Sequence, residues 1–376
     1  GNIVHGNATR LDWEEVCPKN DGDEIYILGN PPYLGSYLQN EMQKEDIDIV
    51  NNKFARIDYI ALWFLKASIY MQNTKNIFTA FVSTNSICQG EQVGILWPEI
   101  YKNNIEIFFA HTSFKWQNNA KANAAVIVII VGLTSKFNSR KKYIYTENIK
   151  KDVKSISPYL SANTDFFIEK QTKPISKFPI MTRGNEATDN GNFLLNNEEI
   201  EKIIDNYSFS EKFFKKTMGS YELLNGQIQW CLWLNQENYI EAIKVQPILE
   251  RIENVKKFRL QSKKKATQQS ASMSYCYTGI RHIDSDSIIV PRVSSERRDY
   301  IPIGFLNKDV IVKDSAYAIY DAEPYLFGII TSKMHMIWVK TVAGRLKSDY
   351  RYSSNLCYNT FPFPNISQKQ KDEITE

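Results

Sequence analysis

Short apolar runs of strand length punctuate the first third of the chain. They are Ile25 to Leu28, Ile77 to Asn85, Ile105 to Ala110 and Ala125 to Val131, each bounded by polar or turn-forming residues. A shorter run, Ile3 to His5, predicts a further strand that ends at the turn Gly6-Asn7. Between the first two long runs the pattern changes. From Asp58 to Met71 nearly every position is apolar, which predicts a helix buried against a sheet. Trp97-Pro98 predicts the start of another helix, and the alternation to residue 133 predicts a doubly wound α/β sheet. Leu34 to Asn52 is polar and reads as a mobile loop. From 134 to 175 the periodicity fades into a Lys-rich connector, with a domain boundary near 165. Beyond it lie a turn-rich stretch from Gly184 to Asn192, a helix start at Asn197-Glu198-Glu199-Ile200 and a buried strand from Gln229 to Leu234. A helical segment from Phe327 to Trp338 follows.

Composition narrows the class. With 376 residues, 43% apolar and 23% charged, the chain is globular and long enough for two cores. Lys and Arg number 46 against 42 Asp and Glu, a net charge of +4, so any affinity for nucleic acid must come from local clustering. The five cysteines and four histidines show no zinc-ligand spacing, so no metal site is expected, and scattered thiols fit a reducing cytoplasm. The longest apolar stretch, Ala124 to Leu133, is too short to span a bilayer, and no signal peptide is evident. These readings predict a cytoplasmic protein with no membrane partner.

Candidate chemistry centres on Gly29-Asn30-Pro31-Pro32-Tyr33, directly after the first long apolar run. Two prolines stiffen the backbone and remove two amide donors, which leaves a rigid loop at a strand's carboxyl end, where open α/β sheets place their chemistry. The Asn30 side-chain oxygen and the Pro31 carbonyl form an acceptor pair suited to an amino group on a planar base. The Tyr33 ring can stack on that base once it leaves the duplex. Taken alone, the tetrapeptide is also a proline-stiffened turn. It resembles the Asn-Pro-Pro-Tyr motif of S-adenosylmethionine-dependent methyltransferases that modify the exocyclic amine of adenine. That resemblance makes Asn30, Pro31, Pro32 and Tyr33 the catalytic residues, with Asn30 also at the cofactor.

Flanking segments extend the likeness. Gly6-Asn7 resembles the family's turn that reaches the cofactor adenine, which makes Asn7 a cofactor contact; a plain turn asparagine is the alternative. Arg56-Ile57-Asp58-Tyr59 resembles a segment framing the substrate and cofactor pocket, which puts Asp58 at the cofactor; a helix-start carboxylate is the alternative. Phe114-Lys115-Trp116 resembles the base-pocket wall, so Phe114 or Trp116 could stack on the extruded base, or simply be core. The family's Gly-rich cofactor turn and the acidic residue after its second strand have no counterpart in residues 1–28. Upstream cofactor-binding and nuclease segments are therefore expected in the full-length protein, and the fragment alone is expected to be inactive.

Three basic clusters mark the second half. Lys256-Lys257-Phe258-Arg259 with Lys263-Lys264-Lys265 suits phosphate contacts. Arg292 and the run Ser295-Glu296-Arg297-Arg298 mix donors with an acceptor, as reading base edges requires. Arg345, Lys347 and Arg351 interleave with Tyr350 and Tyr352, as nucleic-acid surfaces often do. Any one of them is also an ordinary solvated face. Trp230 to Leu234, the Ser-Ser-Glu-Arg-Arg run, Leu326 to Trp338, Gly344 to Ser353 and Tyr358-Asn359-Thr360-Phe361-Pro362 resemble MmeI-like bifunctional type II restriction–modification enzymes. The resemblance implies a partial Rossmann-like methyltransferase sheet over residues 1–165 and an α+β target-recognition domain over 166–325. A short helical C-terminal region and tail would occupy 326–376. Double-stranded DNA is the implied partner and S-adenosyl-L-methionine the cofactor. Two alternatives stay open: a methyltransferase acting on RNA or a protein glutamine, and a non-catalytic DNA specificity module.

Overall fold

A computed structural model describes residues 3–51, 54, 56–116, 126–162, 166–346 and 348–376, with only the backbone of Trp116 and Val126. The chain divides into two compact units, residues 1–171 with 341–345 and residues 172–340 with 346–376.

The first unit is built on six strands: β1 (Ile25–Gly29), β2 (Ile77–Thr84), β3 (Ile105–Trp116), β4 (Val126–Ser135), β5 (Lys142–Thr146) and β6 (Ile149–Val153). They lie in the order β1-β2-β4-β3-β5-β6. β1 and β2 are parallel, in register from Ile25–Ile77 to Gly29–Phe81, while β4 runs antiparallel to both its neighbours. A parallel pair needs a crossover, and here it carries α1 (Glu41–Asn51) and α2 (Ala61–Tyr70). With α3 (Glu91–Lys102) these helices enclose a core that includes Phe64, Phe81, Trp97, Ile107 and Ile129. Seven of the ten residues of α2 are buried, as its all-round apolar pattern requires. The α/β class and the buried helix expected from the pattern are both present.

Four local expectations are corrected. Leu34 to Asn52 is not one loop. Asn40 and Gln43 exchange backbone-to-side-chain hydrogen bonds of 2.9 and 3.0 Å, a capping box that opens α1. Ile3 to His5 forms no strand, because no neighbour among the described residues offers its backbone a ladder, and Ile3 is 97% exposed. The helix expected at Trp97-Pro98 begins at Glu91, after Gly90 at φ +62°, with Pro98 inside it. Its buried stripe of Val93, Leu96, Trp97 and Ile100 outweighs the bond that Pro98 cannot donate. Part of the expected connector folds as the β5–β6 hairpin, paired from Lys142–Val153 to Thr146–Ile149.

The second unit contains β7 (Met181–Arg183), β8 (Leu194–Leu195), β9 (Phe214–Met218), β10 (Gln229–Leu232), β11 (Ser287–Pro291), β12 (Val293–Ser294), β13 (Gly304–Leu306), β14 (Val310–Val312), β15 (Ala316–Tyr320) and β17 (Asp349–Arg351), while β16 (Gly344–Leu346) begins in the first unit's 341–345 and ends at the first residue of the second unit's last segment. Two four-stranded sheets result, β14-β9-β10-β8 and β13-β11-β15-β7. α4 (Asn197–Asn206) begins where expected, with Asn196 and Glu199 closing a capping box. α5 (Gln246–Leu260) turns Ile248, Ile252 and Val255 inward. The segment expected as one helix is two, α6 (Pro324–Ile330) and α7 (Lys333–Val342).

Arg259 continues the stripe of α5 and is fully buried. Its guanidinium donates to the carbonyls of Ala187 (2.8 Å), Thr188 (3.0 Å), Ser270 (3.0 Å), Met273 (2.9 Å) and Cys276 (2.8 Å). Burial pulls its pKa down, and five carbonyl dipoles stand where a counter-charge would. This removes Arg259 alone from the phosphate contacts expected of Lys256-Lys257-Phe258-Arg259; Lys256 and Lys257 are exposed. The tyrosines expected on a nucleic-acid face are also inward. Tyr350 and Tyr352 are buried, and the Tyr352 hydroxyl meets His335 Nε2 at 2.9 Å.

Candidate active site and nucleic-acid interface

At the carboxyl end of β1 the chain turns out of the sheet. Asn30 is exposed, and its carboxamide has no hydrogen-bond partner among the described residues. Pro31 is buried, Pro32 is exposed and Tyr33 is half-buried with its ring against the core. The next residue is held on both sides of its backbone. Leu34 N–H donates to Asp58 Oδ1 at 3.0 Å, and Leu34 C=O accepts from Tyr59 N–H and Gln39 Nε2, each at 3.0 Å. Gln39 also donates to the Ile57 carbonyl at 3.0 Å. Asp58 Oδ2 accepts from Ser86 Oγ at 2.7 Å and Thr84 Oγ1 at 3.3 Å, and its N–H donates to Gln92 Oε1 at 3.0 Å. The loop is therefore anchored just past the motif while the motif's amide faces outward.

Asn7 is engaged within the protein. Its Nδ2 donates to Asp46 Oδ2 at 3.0 Å, and its Oδ1 accepts from the Thr9 amide (3.0 Å) and hydroxyl (2.8 Å). Asp46 is buried and also accepts from Arg10 Nε at 2.6 Å and the Tyr59 hydroxyl at 2.5 Å. Burial alone would raise the Asp46 pKa, but the hydrogen bonds from Tyr59, Arg10 and Asn7 outweigh it and hold the carboxyl below its ordinary range. Asp46→Asn is expected to lower the melting temperature near neutral pH, and the gap to shrink as pH falls below about 4. The sign follows from linkage: a depressed carboxylate contributes stability above its unfolded pKa and loses it as pH falls through the folded one. Melts at about pH 7 and about pH 3 measure the gap, and an equal gap at both would contradict this account.

Beside the Asn7 segment a cavity of about 660 Å³ opens between residues 4–17 and β1. Val4, Leu11, Trp13, Ile25, Ile27 and Tyr70 line it, and none of its lining residues is charged. An apolar slot of this kind fits a nucleobase-like ring and offers nothing to a carboxylate or an ammonium group. Among the described residues no three His, Cys, Asp or Glu side chains group as metal ligands. No described helix is long and apolar enough to cross a membrane.

Phe114 lies on β3, half-buried, with its ring edge-on to His111 at 4.6 Å between centroids. The side chain of Trp116 lies outside the described residues, as does Lys347. In the second unit Lys263 is exposed after α5. Arg292 is half-buried, with Nη1 donating to the Asp314 carbonyl at 2.9 Å and its guanidinium 5.8 Å from the Tyr317 ring. β12 leads into the turn Ser295–Arg298, closed by Arg298 N–H to Ser295 C=O at 3.2 Å. Glu296, Arg297 and Arg298 project from it exposed, and Ser295 is half-buried. Strand pairing sets Arg351 on β17 opposite Val293 on β12, so exposed Arg351 is brought beside that turn. Arg345 is half-buried on β16.

Asp46 and Gln39 escape a reading of Leu34 to Asn52 as a loop, and the reciprocal pair Asn40 and Gln43 is the signal for the helix that fixes them. Arg183 and Asp314, an ion pair at 2.7 Å, join β7 to the segment after β14 and carry no sequence signal.

A family model described as the MmeI DNA-methyltransferase domain matches residues 1–146, and one described as the MmeI target recognition domain matches residues 162–365. A Bacillus subtilis (strain 168) protein named DNA methyltransferase A is 47% identical over 380 residues, covering all of this chain and 43% of that protein. The solved structure of the Type IIL restriction-modification enzyme MmeI in complex with DNA is 41% identical, with a TM-score of 0.88 over 99% of this chain and 50% of that one. The chain thus spans half or less of the length of these relatives.

Proposed function

The chain belongs to the MmeI family, with a DNA-methyltransferase domain followed by a target recognition domain, and from that premise we propose that it carries the catalytic loop and the sequence reader of a DNA adenine methyltransferase. The methyl donor is S-adenosylmethionine and the acceptor is the exocyclic amine of an adenine extruded from double-stranded DNA. We assign residues 1–165 to catalysis, 166–325 to recognition and 326–376 to the C-terminal region.

The observation that carries this reading is Asn30: exposed, without a hydrogen-bond partner among the described residues, beside a buried Pro31 and a loop anchored at Leu34. Its Oδ1 and the Pro31 carbonyl accept the two protons of the amine. As the nitrogen lone pair forms the new N–C bond, charge grows on those protons, and preorganised acceptors stabilise it. Tyr33 stacks on the base and holds the amine in line. One amine proton then leaves to solvent, and no covalent enzyme intermediate is needed. The cofactor, when bound, would supply the electrophilic methyl group, with the electron pair of the broken S–C bond returning to sulfur. Within this chain the cavity beside residues 4–17 fits its adenine, whereas its amino-acid end needs charged residues that line no part of that cavity.

The test uses the full-length protein with methyl-labelled cofactor and, separately, duplex DNA, RNA and cellular protein. Label recovered as N6-methyladenine from duplex DNA alone supports the reading; label in RNA or in glutamine would overturn it. For recognition, Arg297→Ala and Arg298→Ala are each expected to weaken duplex binding about 10- to 100-fold if they read a base edge. A contact to phosphate instead lowers the salt slope by about one and spares sequence preference. Binding isotherms at two salt concentrations measure both, and unchanged affinity in both variants would remove this turn from the interface.

A further inference from the structure

We propose that Asp58 is the positioning residue of the catalytic loop rather than a cofactor contact, an inference that rests on the methyltransferase reading above. The two prolines leave the motif without amide donors at Pro31 and Pro32, so the loop's hold on the body of the unit falls to the residue that follows it. That residue is Leu34, and its amide is bound by Asp58 Oδ1 at 3.0 Å. The other carboxylate oxygen receives Ser86 Oγ at 2.7 Å and Thr84 Oγ1 at 3.3 Å, from the carboxyl end of β2.

One carboxylate therefore bridges the ends of two adjacent parallel strands, β1 and β2. Its own backbone is fixed too, because its N–H is held by Gln92 on α3 at 3.0 Å. Tyr59 N–H binds the Leu34 carbonyl at 3.0 Å, which closes a second link between the same two segments. Asp58 is only 6% exposed, and both its oxygens already accept. Three of its acceptor sites are taken by the chain itself, and its burial leaves little of it open to a cofactor. Charge-assisted bonds of this kind are stiffer and stronger than neutral ones, which suits a group that must keep Asn30 and Tyr33 aimed at a flipped base.

The test measures, in the full-length protein, single-turnover methyl transfer, cofactor affinity and duplex affinity for Asp58→Ala, Asp58→Asn and Ser86→Ala. Freeing the Leu34 amide lets the loop drift by the order of 1 Å, so Asp58→Ala is expected to slow transfer on the order of 100-fold. Cofactor and DNA dissociation constants should stay as they are. Asp58→Asn should recover much of the rate, because its side-chain oxygen still accepts from Leu34 while its NH2 donates to the Ser86 hydroxyl. Ser86→Ala should show a smaller loss of the same kind. If Asp58→Ala does not fold, the last two variants decide. A tenfold or greater loss of cofactor affinity with the rate at saturation preserved would overturn the proposal, as would an unchanged rate in all three. Failure of the underlying reading shows separately, as absence of transfer by the unaltered protein.

Discussion

In the full-length protein, Asn30→Ala is expected to reduce methyl transfer on the order of 10²–10³-fold, the usual loss when one preorganised group facing developing charge is removed. Duplex binding and thermal stability should stay unchanged. The second expectation follows from the geometry as firmly as the first. Asn30 is exposed and bonded to nothing described, so its truncation strands no buried partner, and surface substitutions of this sort fall within about 0.5 kcal/mol. A variant that is folded, binds DNA and does not methylate is the combined result expected. Unchanged methylation would remove Asn30 from the chemistry, whereas a collapse in melting temperature would assign it a structural role that its exposure contradicts.

The largest effect on stability is expected at Arg259. Replacing it with methionine keeps the aliphatic stem in the stripe of Ile248, Ile252 and Val255, but takes the guanidinium donors from five carbonyls at 187, 188, 270, 273 and 276, of which that of Met273 keeps a backbone donor, Cys276 N–H at 3.2 Å. Each buried acceptor left unsatisfied costs about 1–3 kcal/mol before relaxation. Some will find water, so a net loss of roughly 3–5 kcal/mol is expected, in line with removing one partner from a buried charged network. For a unit of this size that lowers the melting temperature by about 10 °C or more. Arg259→Lys should recover little, since one ammonium cannot span carbonyls gathered by a planar fork with five N–H groups. Calorimetry on both variants measures this. A loss under about 1 kcal/mol would show that the carbonyls are satisfied without the guanidinium.

What the sequence discloses and what it hides divide along the range of the interactions. β1 and the Asn30–Tyr33 loop are readable because an apolar run and two prolines act on their own backbone. The buried α2 and the capping box of α4 are equally local. Arg259 misleads because a basic run has the composition of a surface, although its spacing from Ile248, Ile252 and Val255 marks the inward stripe of a helix. Tyr350 and Tyr352 alternate with Asp349 and Arg351 as in a strand with one buried face, yet their composition also fits a nucleic-acid surface. The pairing that brings Arg351 beside the Ser295–Arg298 turn depends on contact between segments far apart in the chain. So does the convergence of Leu34, Asp58 and Ser86, and no local pattern announces either.

The measurement closest to the central claim is single-molecule sequencing of the genome of a host without its own adenine methylation, expressing the full-length protein or its Asn30→Ala variant. The account predicts N6-methyladenine within a single sequence motif with the unaltered protein and none with the variant. Methylation that persists in the variant, or a host genome left unmodified by a folded, DNA-bound protein, would contradict it.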